Sequence, residues 1–116
     1  MKTWMTLVIK YILTFVAGYL TLSLIDGNAV WEVLLIALAV TALNYGVGDL
    51  MVLPTYGNIV ASVADGLMAG IVAYIIALLW AEVTVSFLAL LIFAVLIAIG
   101  EYFLHIYMKS SEEVAP

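Results

Sequence analysis

Four long apolar stretches separated by three short breaks leave this chain few ways to fold. The stretches run from about Trp4 to Ile25, Val30 to Leu53, Ile59 to Trp80 and Val85 to Met108. As a helix, each is about 33–36 Å long, enough to cross a hydrocarbon core of about 30 Å with some tilt. Strands cannot do this here, because the chain has too few segments to close a barrel. The breaks carry turn chemistry. Asp26-Gly27-Asn28 forms the first turn. Pro54 stops the second helix, Pro54 to Asn58 with Gly57 forms the second turn, and Asn58 is placed to N-cap the third helix. Ala81-Glu82-Val83-Thr84 forms the third. Such short connections make consecutive helices antiparallel neighbours. The sequence therefore reads as an all-α integral membrane protein. It is an antiparallel four-helix bundle, with one transmembrane domain over residues 1–108 and a polar C-terminal tail over 109–116.

Composition agrees. Of 116 residues, 68% are hydrophobic and 9% charged, against roughly half and a quarter in an ordinary soluble domain. A soluble fold this small cannot hide so much apolar surface, so lipid must cover it. Three lysines and no arginine provide no basic patch, which excludes nucleic-acid binding. With no cysteine there is no disulfide or thiolate–metal framework. Met1-Lys2-Thr3 followed by an apolar run looks superficially like a signal peptide. Lys10 interrupts that run and no small-residue cleavage site follows, so it reads as a retained first helix. Lys2, Lys10 and Lys109 fall on the side of the two termini, and Asp26, Glu32 and Glu82 on the other. The positive-inside rule then places both termini in the cytoplasm. Trp31 and Trp80 at the outer boundary, and Trp4 and Tyr107 near the inner one, suit an aromatic belt.

The informative residues are those that break the apolar runs. Lys10, Asp49, Asp65 and Glu101 each lie in a different helix. Counted from the helix ends at about 1.5 Å per residue, all four sit roughly 8–12 Å in from the cytoplasmic side. Helical spacing gives each a polar or small-residue face. These are Thr3, Thr6, Lys10, Thr14, Ala17 and Thr21; Thr41, Tyr45 and Asp49 beside Asn44 and Gly48; Asn58, Ser62, Asp65, Ala69 and Ala73; and Ala94, Ala98, Glu101 and His105. Such faces suit a bundle interior, and the Gly66–Gly70 pair suits close helix approach. A charge near the bilayer centre costs about 2.5–3.5 kcal/mol, so four facing lipid would be expensive and pairing offsets much of that. The expectation is a buried charge cluster of Lys10, Asp49, Asp65 and Glu101, with Asn44, Ser62 and His105 around it. Three acids against one lysine carry two excess negative charges if all ionise. One or two acids must then hold a proton or attract a cation, and His105 can supply one positive charge.

Two readings of the cluster follow. It pins the helices in register, as structural ion pairs do, or it is an intramembrane proton or cation site. The one-level placement, with little polar lining in the outer halves beyond Thr14 and Thr21, favours the first. Enzyme motifs are lacking: no HExxH, no GxSxG and no paired His ligands. The expectation is a non-enzymatic chain without a metal or other cofactor. Its partners are the bilayer and a lipid, a membrane protein or a second copy of itself.

The string GDLMVLPTYGNIVASVAD, from Gly48 to Asp65, is distinctive. It resembles the YndM-like family of small four-helix membrane proteins from endospore-forming bacteria, a family of unknown function. The resemblance implies a bacterial cytoplasmic-membrane location. It places Asp49, Pro54, Gly57, Asn58 and Asp65 in the recognisable segment but assigns them no role. The small multidrug exporters are similar in size and helix number and work around an acid in helix one. Lys10 stands in this chain's first helix, with no acid before Asp26, which argues against their mechanism.

Overall fold

A backbone surrounded by hydrocarbon must satisfy its own N–H and C=O groups, and long helices do so within one segment. The computed structural model describes residues 2–109 and contains four helices long and apolar enough to cross a membrane. They are α1 (Thr3–Ser23), α2 (Val30–Tyr56), α3 (Asn58–Leu79) and α4 (Phe87–Lys109). No strand occurs among the described residues. The expected polar tail from residue 110 onward lies outside them.

Two of the helices are not uniformly α. The last turn of α1, Tyr19–Ser23, is π-helical, and so is the longer segment Asn44–Val52 of α2. Pro54 does not end α2 as the sequence suggested. It lies inside a final turn, Leu53–Tyr56, immediately after the π-helical segment. A proline lacks an N–H and crowds the preceding turn, and here the wider ladder ends where that disruption falls. Gly57 makes the actual break, with φ 87° and ψ 179°, a backbone state open essentially to glycine alone.

The helices form a ring in chain order, each packed against two neighbours: α1 on α2 and α4, α3 on α2 and α4. The closest pair is α3 and α4. A side chain at Gly66 would strike the Ala94 carbonyl and come within 3.0 Å of the Ala98 methyl. Small residues at the seam let the two backbones approach, which is how helices gain contact in lipid. The apolar core is built from Leu22, Val33, Ile36, Val40, Ala69, Ala73, Phe93 and Ile97. The outward faces carry Leu, Ile, Val and aromatic side chains, among them Leu38, Ile59, Leu67, Leu79 and Phe87. An apolar exterior of that extent is in keeping with helices long and apolar enough to cross a membrane.

The end of the bundle formed by the α1–α2 and α3–α4 connections is stitched by polar groups. Asn28 donates through Nδ2 to the Leu22 carbonyl (2.8 Å) and the Thr84 carbonyl (2.6 Å), and accepts from the Thr84 N–H (2.8 Å). Asp26 accepts from the Ser86 N–H (2.8 Å) and hydroxyl (2.7 Å). Trp31 and Trp80 meet edge to face with ring centroids 5.0 Å apart. Asn28→Ala removes three of these bonds and strands buried partners. It should cost about 2–4 kcal/mol, measured by denaturant titration of the protein in detergent micelles against Asn28→Asp.

Candidate functional site

The chemistry of the bundle is concentrated on its inward side chains at the opposite end. In α1 the buried row is Thr6, Lys10, Thr14, Ala17 and Thr21. In α3 it is Ala61, Ser62, Asp65, Gly66, Ala69 and Ala73. In α4 the central row runs Ala89, Phe93, Ile97, Glu101, His105 and Met108. Ala94 and Ala98, which the sequence placed on that stripe, are half-buried and lie beside the α3 seam instead. In α2 the π-helical register brings Asn44, Gly48 and Asp49 inward together. A π turn holds more residues than an α turn, so the register of this inner row is offset from that of the α-helical part of α2.

Lys10, Asp49, Asp65, Glu101 and His105 meet in this interior, each with no exposed surface. The Lys10 ammonium lies 3.0 Å from Asp49 Oδ2 and pairs with Glu101 Oε2. His105 Nε2 faces three carboxylates, with Asp49 Oδ1 at 2.9 Å, Asp65 Oδ2 at 3.2 Å and Glu101 Oε2 at 3.3 Å. Sequence reasoning had set His105 at the edge of the cluster; it is the hub. The signal was present in the i,i+4 spacing of Glu101 and His105.

Asn58 is also more than a turn residue. Gly57 occupies the N-cap position of α3, and the Asn58 side chain makes no cap bond. Its Nδ2 donates to the Tyr102 carbonyl at 2.9 Å, which turns Oδ1 toward His105 Nδ1 at 2.8 Å. Ser62 donates its hydroxyl to the same Oδ1 at 3.0 Å. A carbonyl oxygen only accepts, so the amide orientation is fixed and His105 Nδ1 must carry hydrogen. The imidazole is thereby held with Nε2 aimed at the carboxylates. A bare lone pair there would face three anionic oxygens, so positive charge must occupy the space between them.

The remaining sequence-selected residue, Asn44, is buried in α2, but neither atom of its amide has a hydrogen-bond partner among the described residues. It is not joined to the network. Among the described residues, none donates a hydrogen bond to either oxygen of Asp65 or to Glu101 Oε1. Gly48 is what lets Asp65 reach the centre: a side chain at position 48 would collide with Asp65 Oδ1.

Over residues 1–114 the sequence matches the model of a family described as "Protein of unknown function (DUF2512)". The chain belongs to this family. No curated protein and no solved structure matches it. For this DUF2512 chain, the structure thus supplies the site geometry that the family description leaves open.

Two outcomes follow from that geometry. Lys10→Met leaves Asp49 and Glu101 buried without their counter-charge and should destabilise the bundle by about 3–5 kcal/mol. Adding Glu101→Gln should recover part of that loss, as a double-mutant cycle in detergent unfolding would measure. Gly48→Ala should cost about 1–3 kcal/mol by overpacking. Combining it with Asp65→Ala should restore much of the loss in the same assay.

Proposed function

We propose that this chain is a non-enzymatic, multi-pass protein of the bacterial cytoplasmic membrane with both termini in the cytoplasm. The ion network locks its four helices, and the outward face binds a lipid or a membrane partner, a second copy included. An origin in endospore-forming bacteria fits the resemblance of the Gly48–Asp65 segment to the YndM-like proteins.

The supporting observation is the closure of the network. Beyond it, toward the stitched end, the interior is filled by the buried side chains of Leu22, Val33, Ile36, Val40 and Phe93. The polar residues of α1 on that side do not line a path. Thr14 donates its hydroxyl to the Lys10 carbonyl (2.7 Å) and Thr21 to the Ala17 carbonyl (2.7 Å), so both are satisfied by their own helix. Toward the other end, Leu53 and Met108 are fully buried. The grooves on the surface are apolar. One of about 350 Å³ lies between α1 and α2 along Leu7, Tyr11, Leu38 and Thr41. A second, of about 280 Å³, lies between α3 and α4 along Ile59, Val63, Ile99 and Phe103. Such grooves suit acyl chains or a partner helix.

A second reading, a proton- or cation-linked channel or transporter using Asp49, Asp65 and Glu101, draws on one observation: Asp65 lies buried with no hydrogen-bond donor. Reconstitution separates the two. With the protein in vesicles and a cation gradient across them, a pH-sensitive or cation-sensitive dye should report leakage equal to that of protein-free vesicles. Flux above that level, lost in Asp49→Asn and Asp65→Asn proteins that remain folded, would overturn the locking role in favour of transport.

A further inference from the structure

The donor set at the centre of the bundle has the composition and spacing of a metal site. Asp49, Asp65, Glu101 and His105 each offer one ligand atom, and those atoms all lie within 4.8 Å of one another. Measured from His105 Nε2, the three carboxylate oxygens stand at 2.9, 3.2 and 3.3 Å. Metal–ligand bonds of about 2.1 Å place neighbouring donors roughly 3.0–3.4 Å apart in octahedral or tetrahedral geometry. The three contacts therefore match the edges of a coordination shell.

Two further observations point to a cation. Asp65 is fully buried and accepts no hydrogen bond at either oxygen, yet its Oδ2 is directed to the ring nitrogen that the other two acids share. A buried carboxylate calls for a positive partner, and Asp65 has only a share in one, because the His105 Nε2 it faces at 3.2 Å also faces Asp49 and Glu101. The other observation is His105 itself. Its Nδ1 hydrogen is engaged by Asn58 Oδ1, and Asn58 is in turn held by the Tyr102 carbonyl and Ser62. Metal-binding histidines are oriented in this manner, with the outer N–H bound so that the inner nitrogen presents its lone pair.

We propose that Asp49, Asp65, Glu101 and His105 bind a divalent first-row metal ion of the Mn2+ or Zn2+ class, and that Lys10 is the built-in competitor for it. One imidazole with three carboxylates suits these ions better than thiophilic ones. Two positive charges also balance three carboxylates more fully than one ammonium does. Lys10 holds Glu101 Oε2 and Asp49 through its ammonium; a metal bound at the centre takes Glu101 Oε2 from it. This goes beyond the locking role, because a site filled by Lys10 alone would lock the bundle equally well.

Binding is read directly on the full chain purified in detergent. The protein is incubated with Mn2+ or with Zn2+, desalted, and its retained metal is counted by elemental analysis, with Mg2+ as control. Stoichiometric Zn2+ or Mn2+ is expected in the wild type, lost in Asp65→Asn and His105→Gln. Asp65→Asn is close to isosteric and leaves Asp49 and Glu101 facing His105, so it should keep the fold, checked by helicity and gel filtration. Lys10→Met is expected to bind about ten-fold more tightly or better, since a neighbouring positive charge has gone. Should that variant fail to fold, the comparison of wild type with Asp65→Asn decides the question. Wild-type protein without Asp65-dependent uptake overturns the site. A folded Lys10→Met protein that binds no more tightly than wild type overturns the competition.

Discussion

One lattice of charged side chains joins all four helices. Lipid tails are as apolar as leucine, so no hydrophobic force drives helices together once they are inserted. Register must come from packing and from polar groups that find each other. Here α1 supplies Lys10, α2 Asp49, α3 Asp65 and α4 both Glu101 and His105, all fully buried. Moving any helix along its axis by one turn would take its charged side chain out of the lattice and strand the partners it leaves. A well-packed apolar interior of the same volume often holds a fold as well or better.

Much of this was legible in the chain. The depth of each ionisable residue follows from counting, and its face from helical periodicity, because a long apolar helix leaves little freedom in either. The number of spans follows from the same counting. What sequence periodicity could not supply was the local departure from it. The π-helical stretch of α2 shifts the register between Asn44 and Val52, and no propensity rule marks where the wider turns start. Proline disfavours a helix interior, so position 54 looks like a stop, yet the helix continues to Tyr56 and the positive φ of Gly57 ends it. His105 and Asn58 were underrated for a related reason. A residue near a helix end looks interfacial in one dimension, and only the crossing of α3 with α4 brings these two side chains to 2.8 Å.

The two ends of the bundle are built from different chemistry. One is held by neutral and singly charged hydrogen bonds between loops, Asn28 to Thr84 and Asp26 to Ser86. The other is held by the ion lattice inside the helices. Between them lies an apolar section closed by Phe93 and its neighbours. Among the described residues, the buried cluster of Lys10, Asp49, Asp65, Glu101 and His105 is thus confined to one half of the molecule. It also sets the lattice apart from the apolar grooves on the outward faces.

The wider ladder of α2 has a consequence for relatedness within the family. A π segment is commonly produced by one additional residue accommodated inside an α-helix. Each residue turns an α-helix by about 100°. A homologue one residue shorter between positions 44 and 52 would therefore carry its counterpart of Asp49 about 100° out of line with the residues of α2 that precede the gap. Chains carrying such a gap would have to re-aim that acid at His105 or leave the imidazole to the counterparts of Asp65 and Glu101.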